Sequence, residues 1–461
     1  MAEEMGERTL WLDEVSVSGG HLVVRYGVDR HAFSTSLWWE GVDLDEVAAS
    51  IGAAHLRRLV FHIAAFEAMK AASLRPAVFD LGPYADLGTA AFRELWSTVL
   101  RHVWSQWRYE HDLVDDAITI AGPPAEPGPD PLEAATDRRV LLFCGGGKDS
   151  LVAARVLEEA GVAYGSYAYS HSTYGRPAPQ HALIDGLLDH LLPIERHRHW
   201  VFDDLLDLPV ARAAPELGAR HITAAETPSS IFGVLPLAVA LGYTDLVVAH
   251  ERSADVGNLV WSRTGEEVNH QWGKSLDAER RLRDYIGAHL VAGLSYSSVL
   301  KPSHDVLIFR ALAESLDAVP STHSCNVEKP WCLRCAKCAY VWLGYQAFLP
   351  DATVLATFGD RNLLDEPANL MWFEQMLGLA DHTPFECIGQ VDEARLSFEL
   401  LRRRGCTGTA MRMFEERVPP VDAEHLYRSL IAVAPGHHAM PPGLAGAVVP
   451  VLERLAASPL R

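Results

Sequence analysis

From Val140 to Leu151 the chain reads Val-Leu-Leu-Phe-Cys-Gly-Gly-Gly-Lys-Asp-Ser-Leu. The apolar run Val140 to Phe143 predicts a short buried strand, and the residues from Leu151 to Ala160 predict a helix close behind it. Gly145, Gly146 and Gly147 join the two. A strand, a glycine turn and a helix start together form a cradle for an anion. Glycine lets backbone N–H groups approach a phosphate, and the helix N-terminus adds partial positive charge. Lys148 can neutralise phosphate, Asp149 can hold Mg²⁺, and Ser150 can donate to a phosphate oxygen or cap the helix. The spacing is not that of the G-x-x-x-x-G-K-[ST] loop. An ordinary glycine turn between strand and helix is the plainer alternative.

Three further groupings carry chemistry. Cys325, Cys332, Cys335 and Cys338 lie close enough in sequence to wrap one tetrahedral Zn²⁺. A [4Fe–4S] cluster also takes four cysteines, so spacing alone leaves the metal open. His323 stands beside them as a neighbour or a substitute ligand. The second grouping is Val268-Asn269-His270-Gln271-Trp272-Gly273-Lys274-Ser275, preceded by Glu251-Arg252-Ser253. It gathers hydrogen-bond donors and one exchangeable proton, which suits an anionic substrate or a transferring group. The alternative is a polar loop capping the next helix, with Ser275 as N-cap. In the third, Glu386 and Cys387 are adjacent: a carboxylate and a thiol that could each take or return a proton. A turn with a buried cysteine is the competing reading.

These groups need elements to hold them. Residues 1–120 read as an α+β unit, with strands over 15–28 and 32–39 and helices over 44–71 and 87–110. Trp104, Trp107 and Tyr109 recur at helical spacing and are expected to pack rather than to stack on a ligand. Residues 121–137 hold five prolines and two glycines and read as a linker without regular structure. From 138 to 350 strands and helices alternate: strands over 140–143, 163–169, 199–202 and 245–249, helices over 148–160, 181–192 and 229–241. Such βαβ alternation implies a parallel sheet with helices on both faces and ligands at the carboxyl ends of its strands. Residues 351–461 read as mostly helical.

At 461 residues, with 49% hydrophobic and 22% charged residues, the chain has the composition of a soluble globular protein of two or three domains. A formal charge of −20 argues against a nucleic-acid partner. The acidic start has no apolar segment of a signal peptide, and no apolar run is long enough for a bilayer, so a cytoplasmic location is expected. There the clustered cysteines point to a metal rather than to disulfides.

The loop at 145–150 resembles the SGGxDS loop of the PP-loop ATP pyrophosphatases, with Gly145 in place of its serine. The late cysteine cluster resembles that of the 7-cyano-7-deazaguanine synthases, where the ion is a structural zinc. With Glu251-Arg-Ser-Ala254, the 268–275 element and Pro384-Phe-Glu-Cys-Ile-Gly389, the whole set is similar to the MurL family of UDP-N-acetylmuramoyl-L-alanyl-L-glutamate epimerases. That resemblance implies a PP-loop (adenine nucleotide alpha hydrolase-like) α/β domain at 138–350, with an N-terminal α+β domain and a helical C-terminal region. It implies that ATP and Mg²⁺ activate the terminal glutamate carboxylate of a UDP-sugar dipeptide, after which the α-proton moves from one face to the other. Gly145 to Ser150 would hold pyrophosphate. His270 and Cys387, with Glu386 as the alternative, would transfer the proton. Lys274 and Arg252 would meet carboxylate or phosphate, and Glu251, Asn269, Gln271 and Ser275 would line the substrate. An epimerase of another peptide terminus, or an adenylating ligase of the deazaguanine-synthase kind, are the alternatives.

Overall fold

The apolar run at 140–143 is a strand at the heart of a large mixed sheet. A computed structural model describes residues 8–205 and 225–460; the acidic start at 1–7 lies outside them. The sheet strands, in chain order, are β1 (Thr9–Leu12), β2 (Ser16–Ser18), β3 (His21–Val28), β4 (His31–Trp39), β5 (Val78–Asp80), β6 (Thr119–Ile120), β7 (Val140–Phe143), β8 (Tyr164–His171), β9 (Glu195–Asp203), β10 (Asp245–Val248) and β11 (Ser295–Ser298). They lie in the order β11-β10-β7-β8-β9-β4-β3-β1-β5-β6, with β2 on β3. The five strands from β11 to β9 run parallel, as the βαβ pattern predicts.

Side chains alternate across a strand, so one sheet feeds two cores. Leu141, Leu246, Val248 and Tyr296 join one core with Phe61, Phe66 and Phe232. Val140, Leu142 and Val247 join the other with Leu151, Leu307 and Tyr340. Both faces of the parallel strands are thereby covered, and all their carboxyl ends point to one edge.

The sheet does not stop at residue 120. β9 pairs antiparallel with β4, Trp200 opposite Trp38, and so joins strands on either side of the proline-rich stretch. Trp39 is fully buried at this seam, stacked on His199 at 4.7 Å, with its indole N–H donating to Gly233 O at 2.8 Å. Trp39→Ala should cost about 3–5 kcal/mol, the usual range for emptying an aromatic site in a core, read as a fall in the urea midpoint.

Several elements differ from the sequence expectation, each for a local reason. The 44–71 helix is broken into Leu44–Ile51 and Ala53–Glu67 at Gly52, whose φ of +87° leaves helical space. The expected linker is irregular except for a single bridge of Ala125 to Thr89 and for Leu132–Glu133, which pair with Val291–Ala292. Leu132 and Glu133 follow the last proline, so their N–H groups are free to join a ladder. Strand β11 is Ser-Tyr-Ser-Ser, with no apolar alternation to announce it. Residues 351–460 are mostly helical, through Asp351–Phe358, Pro367–Met376, Val391–Arg403, Thr409–Arg417, Ala423–Ile431 and Pro442–Ala456. Trp104 and Trp107 pack against each other at 5.3 Å and are buried. Among the described residues, no helix is long and apolar enough to cross a membrane.

Candidate active site

The loops that leave the carboxyl ends of β7, β8, β10 and β11 carry the glycines, Tyr174, Glu251 and Asp305 respectively, which is where a parallel sheet binds ligands. The glycine loop turns directly into the helix Lys148–Glu159, whose first N–H groups have no intrahelical acceptor. Gly146 has φ +81°, and a Cβ there would lie 2.1 Å from His323 Nε2; a Cβ on Gly147 would lie 2.7 Å from Ser324 Oγ. Residues 323–324 therefore cover one side of the loop, while Gly145 faces open space. His323 is a neighbour of the loop and donates its N–H to Gly146 O at 2.8 Å.

Lys148 turns inward. Its ammonium is 2.6 Å from Asp149 Oδ1 and also bonds Asp305, and it is buried. Burial opposes its charge, but Asp149, Asp305 and Glu251 hold it well above the usual lysine value. Asp149 keeps about a third of its side chain exposed, at 31%. As a hard oxygen donor beside open space it suits Mg²⁺.

The second half of the site is a cavity of about 180 Å³ lined by His270, Gln271, Lys274, Lys337 and Cys387 on residues 270–274, 337 and 387, and by Tyr174 and Glu226. Reactive atoms of His270, Glu386 and Cys387 all lie within 4.8 Å of one another. The residues singled out for proton transfer thus meet in space. Glu386 Oε1 accepts the Cys387 N–H at 2.8 Å, and Lys337 donates to Cys387 O at 2.8 Å. Burial would raise the Cys387 thiol, but the charges of Lys274 and Lys337 and contact with His270 outweigh it and bring it to about 6. Cys387 is therefore a thiolate at neutral pH, the form that takes a proton. Lys274 stays protonated: burial works against its charge, but Cys387, Glu251 and Asp149 raise it above the ordinary value. Those partners tie the thiol cavity to the acidic ground beside the glycine loop. Lys274→Met should move the pH midpoint of Cys387 alkylation by iodoacetamide upward from about 6 by roughly one pH unit or more, followed by mass mapping of the labelled peptide.

The other sequence candidates divide. Gln271 lines the cavity and is fixed through Nε2 to Ile388 O at 2.8 Å. Asn269 braces its own loop, with Nδ2 on Ala254 O at 3.0 Å and Oδ1 accepting the Gln271 N–H at 2.8 Å. Ser275 caps the helix Leu276–His289 by accepting the Ala278 N–H at 3.2 Å. Asn269 and Ser275 line a neighbouring cavity with Trp272. Arg252 lies in a short turn and is not among the residues around Cys387. Glu251 is buried, and its carbonyl accepts from Lys301.

The fold brings in five residues that the sequence reading did not single out, four of them with no sign in composition or spacing. Gln106 Oε1 is 2.7 Å from His270 Nδ1 and takes that proton, which leaves Nε2 as the basic nitrogen. Lys301 Nζ, fully buried, bonds Glu251 O, Lys274 O and Asp255, and so clamps two site loops together. Lys337, Tyr174 and Glu226 line the cavity. Only Lys337 had a signal, its place between two cysteines.

The four cysteine sulfurs lie within 4.8 Å of one another, with Cys325–Cys335 and Cys332–Cys338 at 3.8 Å. A tetrahedral ion with Zn–S bonds of about 2.3 Å sets its sulfurs roughly 3.8 Å apart. The set therefore fits one zinc ion. Backbone N–H groups of Val327 and Glu328 point at Cys325 Sγ, both at 3.4 Å, as they would toward a thiolate. A second group, Glu67, His171 and Asp203, also gathers, but around the ammonium of Lys70, which occupies the place a cation would take.

A mixed α/β fold sets a cysteine with a lowered pKa, an imidazole and two ammonium groups in one small cavity, an arrangement suited to acid–base chemistry. Comparison with known proteins gives the family. Residues 220–299 match the MurL N-terminal domain and residues 321–424 the MurL C-terminal domain. Three curated relatives are each named UDP-N-acetyl-alpha-D-muramoyl-L-alanyl-L-glutamate epimerase. The protein of Xanthomonas oryzae pv. oryzae is 31% identical over 317 residues, 66% of either chain. That of a Micromonospora species is 31% identical over 327 residues, 68% of either chain. That of Salinispora tropica is 32% identical over 273 residues, 57% of this chain and 56% of its own. The chain thus spans just under two thirds of the first of these and a little more of the second. No solved structure matches. The chain belongs to the MurL family. The first matched stretch carries Glu251 and His270, the second the four cysteines and Cys387.

Proposed function

We propose that this protein is an ATP-dependent epimerase. It inverts the terminal L-glutamate of UDP-N-acetylmuramoyl-L-alanyl-L-glutamate and releases AMP and pyrophosphate during synthesis of peptidoglycan precursors. The observation that carries the reading is the Cys387 thiolate, set beside His270 and Lys274 in a cavity that adjoins the carboxylates next to the glycine loop. The names of the curated relatives support the substrate.

The chemistry needs both halves of the site. A free carboxylate repels the second negative charge that α-proton removal creates. Joining it to AMP as an acyl-adenylate removes the first charge and lets an enolate form. Gly145 to Ser150, in a PP-loop-like setting, would hold the phosphates. Lys148 and Asp149 stand at that loop, and Asp149 would hold Mg²⁺, whose charge offsets that of the phosphates. Lys274 would meet the developing enolate oxygen. Cys387 would take the α-proton, with His270 as its neighbour for exchange. The cysteine centre, as a zinc site, would be structural. The cavity around Cys387 is below the roughly 300–1,000 Å³ that encloses a drug-sized ligand. It suits the glutamyl end alone, with the UDP-sugar outside it.

The test is to incubate the protein with ATP, Mg²⁺ and the L-glutamyl substrate in D₂O. AMP, D-glutamate and deuterium at the α-carbon are the expected result. AMP without inversion would favour an adenylating ligase, or an epimerase of another peptide end.

A further inference from the structure

Inversion at carbon needs one group to remove the proton and another to return one from the opposite face. Two such groups flank the carbon, each at about 3–3.5 Å, so their reactive atoms stand roughly 6–7 Å apart. His270, Glu386 and Cys387 are all within 4.8 Å of one another. That is too close for any two of them to sandwich a carbon, so the three serve one face together. The other face needs a group that lines the same cavity but stands outside this cluster.

Apart from the amides of Gln271 and Asn326, which are too weakly acidic to serve, the remaining polar lining residues are Tyr174, Glu226, Thr227, Lys274 and Lys337. Lys274 keeps its proton, held by Cys387, Glu251 and Asp149. Lys337 is bound to Cys387 O and pairs with Glu386 at 3.5 Å. The Thr227 hydroxyl is a weak acid. Tyr174 is held well above its ordinary value by burial and then by the charge of Glu226. Glu226 remains. It opens the helix Glu226–Leu241, its side chain is only 12% exposed, and the Tyr174 hydroxyl donates to its Oε2.

We propose that Glu226 is the second catalytic residue of the epimerisation, delivering a proton to the face opposite Cys387, and that Tyr174 is the residue that positions it. The proposal rests on the epimerase reading. In the forward step the Cys387 thiolate takes the α-hydrogen of the activated L-glutamate as a proton. The S–H bond forms, the C–H bond breaks, and its electron pair passes into the enolate. The Glu226 carboxylic acid then gives its proton to the other face, and the pair returns to form the new C–H bond. After product release Cys387 loses its proton to solvent and Glu226 regains one. Burial supports the required form: it lifts the Glu226 carboxyl to about 7, with Tyr174 and Lys70 pulling the other way and Glu67 and Asp203 adding to the rise. A protonated carboxyl is thereby populated at neutral pH beside a cysteine that is already a thiolate.

The experiment uses the full chain with ATP, Mg²⁺ and the L-glutamyl substrate in D₂O. Wild type should give D-glutamate carrying α-deuterium. If wild type gives neither AMP nor inversion, the epimerase reading itself fails. Glu226→Gln should still release AMP and still exchange the α-hydrogen of recovered L-glutamate through Cys387, with inversion lowered about 10²–10⁴-fold. Tyr174→Phe should show the same separation of exchange from inversion, less strongly. Glu226→Asp keeps the acid and should recover part of the inversion that Glu226→Gln loses. The proposal is overturned if Glu226→Gln inverts at the wild-type rate. It is also overturned if the Asp and Gln variants are equally impaired, or if exchange and inversion fall together.

Discussion

Cys387→Ala should lower epimerisation about 10²–10⁴-fold, the range for removing a positioned acid–base group. The α-hydrogen should also stop exchanging with solvent. The thiol combines three features: a pKa brought to about 6, the charges of Lys274 and Lys337, and contact with an imidazole. Serine in its place should do little better than alanine, because its hydroxyl does not ionise in this range and the flanking lysines would have no anion to stabilise. AMP release marks the activation half and should continue in both variants. Measuring AMP, exchange and chirality in one reaction separates these outcomes. If exchange persists in Cys387→Ala, the proton passes through His270 or Glu386 instead. If AMP release disappears as well, the loop around Cys387 serves binding or folding and not proton transfer.

The second large effect is expected at Lys148. Its side chain is 6% exposed beside that of Asp305, which is 1% exposed. Lys148→Met leaves that carboxylate buried without its cation, at a cost of about 3–5 kcal/mol. The sign of the pH dependence follows from Asp305. Burial raises its carboxyl above the ordinary 3.8 even against Lys148, and without the lysine it rises further. A raised carboxyl binds its proton more tightly in the folded chain. The stability this gives is full below the ordinary value and is lost as pH rises through the raised one. Lys148→Met should therefore be weakest at pH 8 and partly recover at pH 5, read from urea midpoints at the two values. Adding Asp305→Asn removes the orphaned charge and should restore much of the stability at pH 8. AMP formation should stay low in that double variant if Lys148 also serves phosphate. Recovery of AMP formation together with stability would make Lys148 a purely structural residue.

The local elements were legible because their signals are local. An apolar run ending in three glycines reads as a strand and a turn, and cysteines at short spacing can share one ion. The meeting of His270 with Cys387 was legible as chemistry but not as geometry, since two distant loops supply them. Gln106, Tyr174 and Glu226 gave no signal at all. Each is a common polar residue on an ordinary element, and it becomes part of the site only when the sheet carries several chain segments to one edge. Lys148 shows the reverse limit. Its type and place after the glycines read as a phosphate ligand, yet its side chain turns to Asp305, a partner at the start of the helix Asp305–Ala311 far along the chain. Strands before and after the proline-rich stretch, β4 and β9, pair in one sheet, a long-range contact that local composition does not announce.

Lys337 lies between Cys335 and Cys338, at the first turn of the helix Ala336–Phe348. From there it reaches the carbonyl of Cys387 and the carboxylate of Glu386. The four cysteines thus sit at the root of an arm that reaches the reactive sulfur: a metal ion held there would anchor the helix start from which Lys337, itself part of the cavity wall, carries its charge to Cys387 and Glu386.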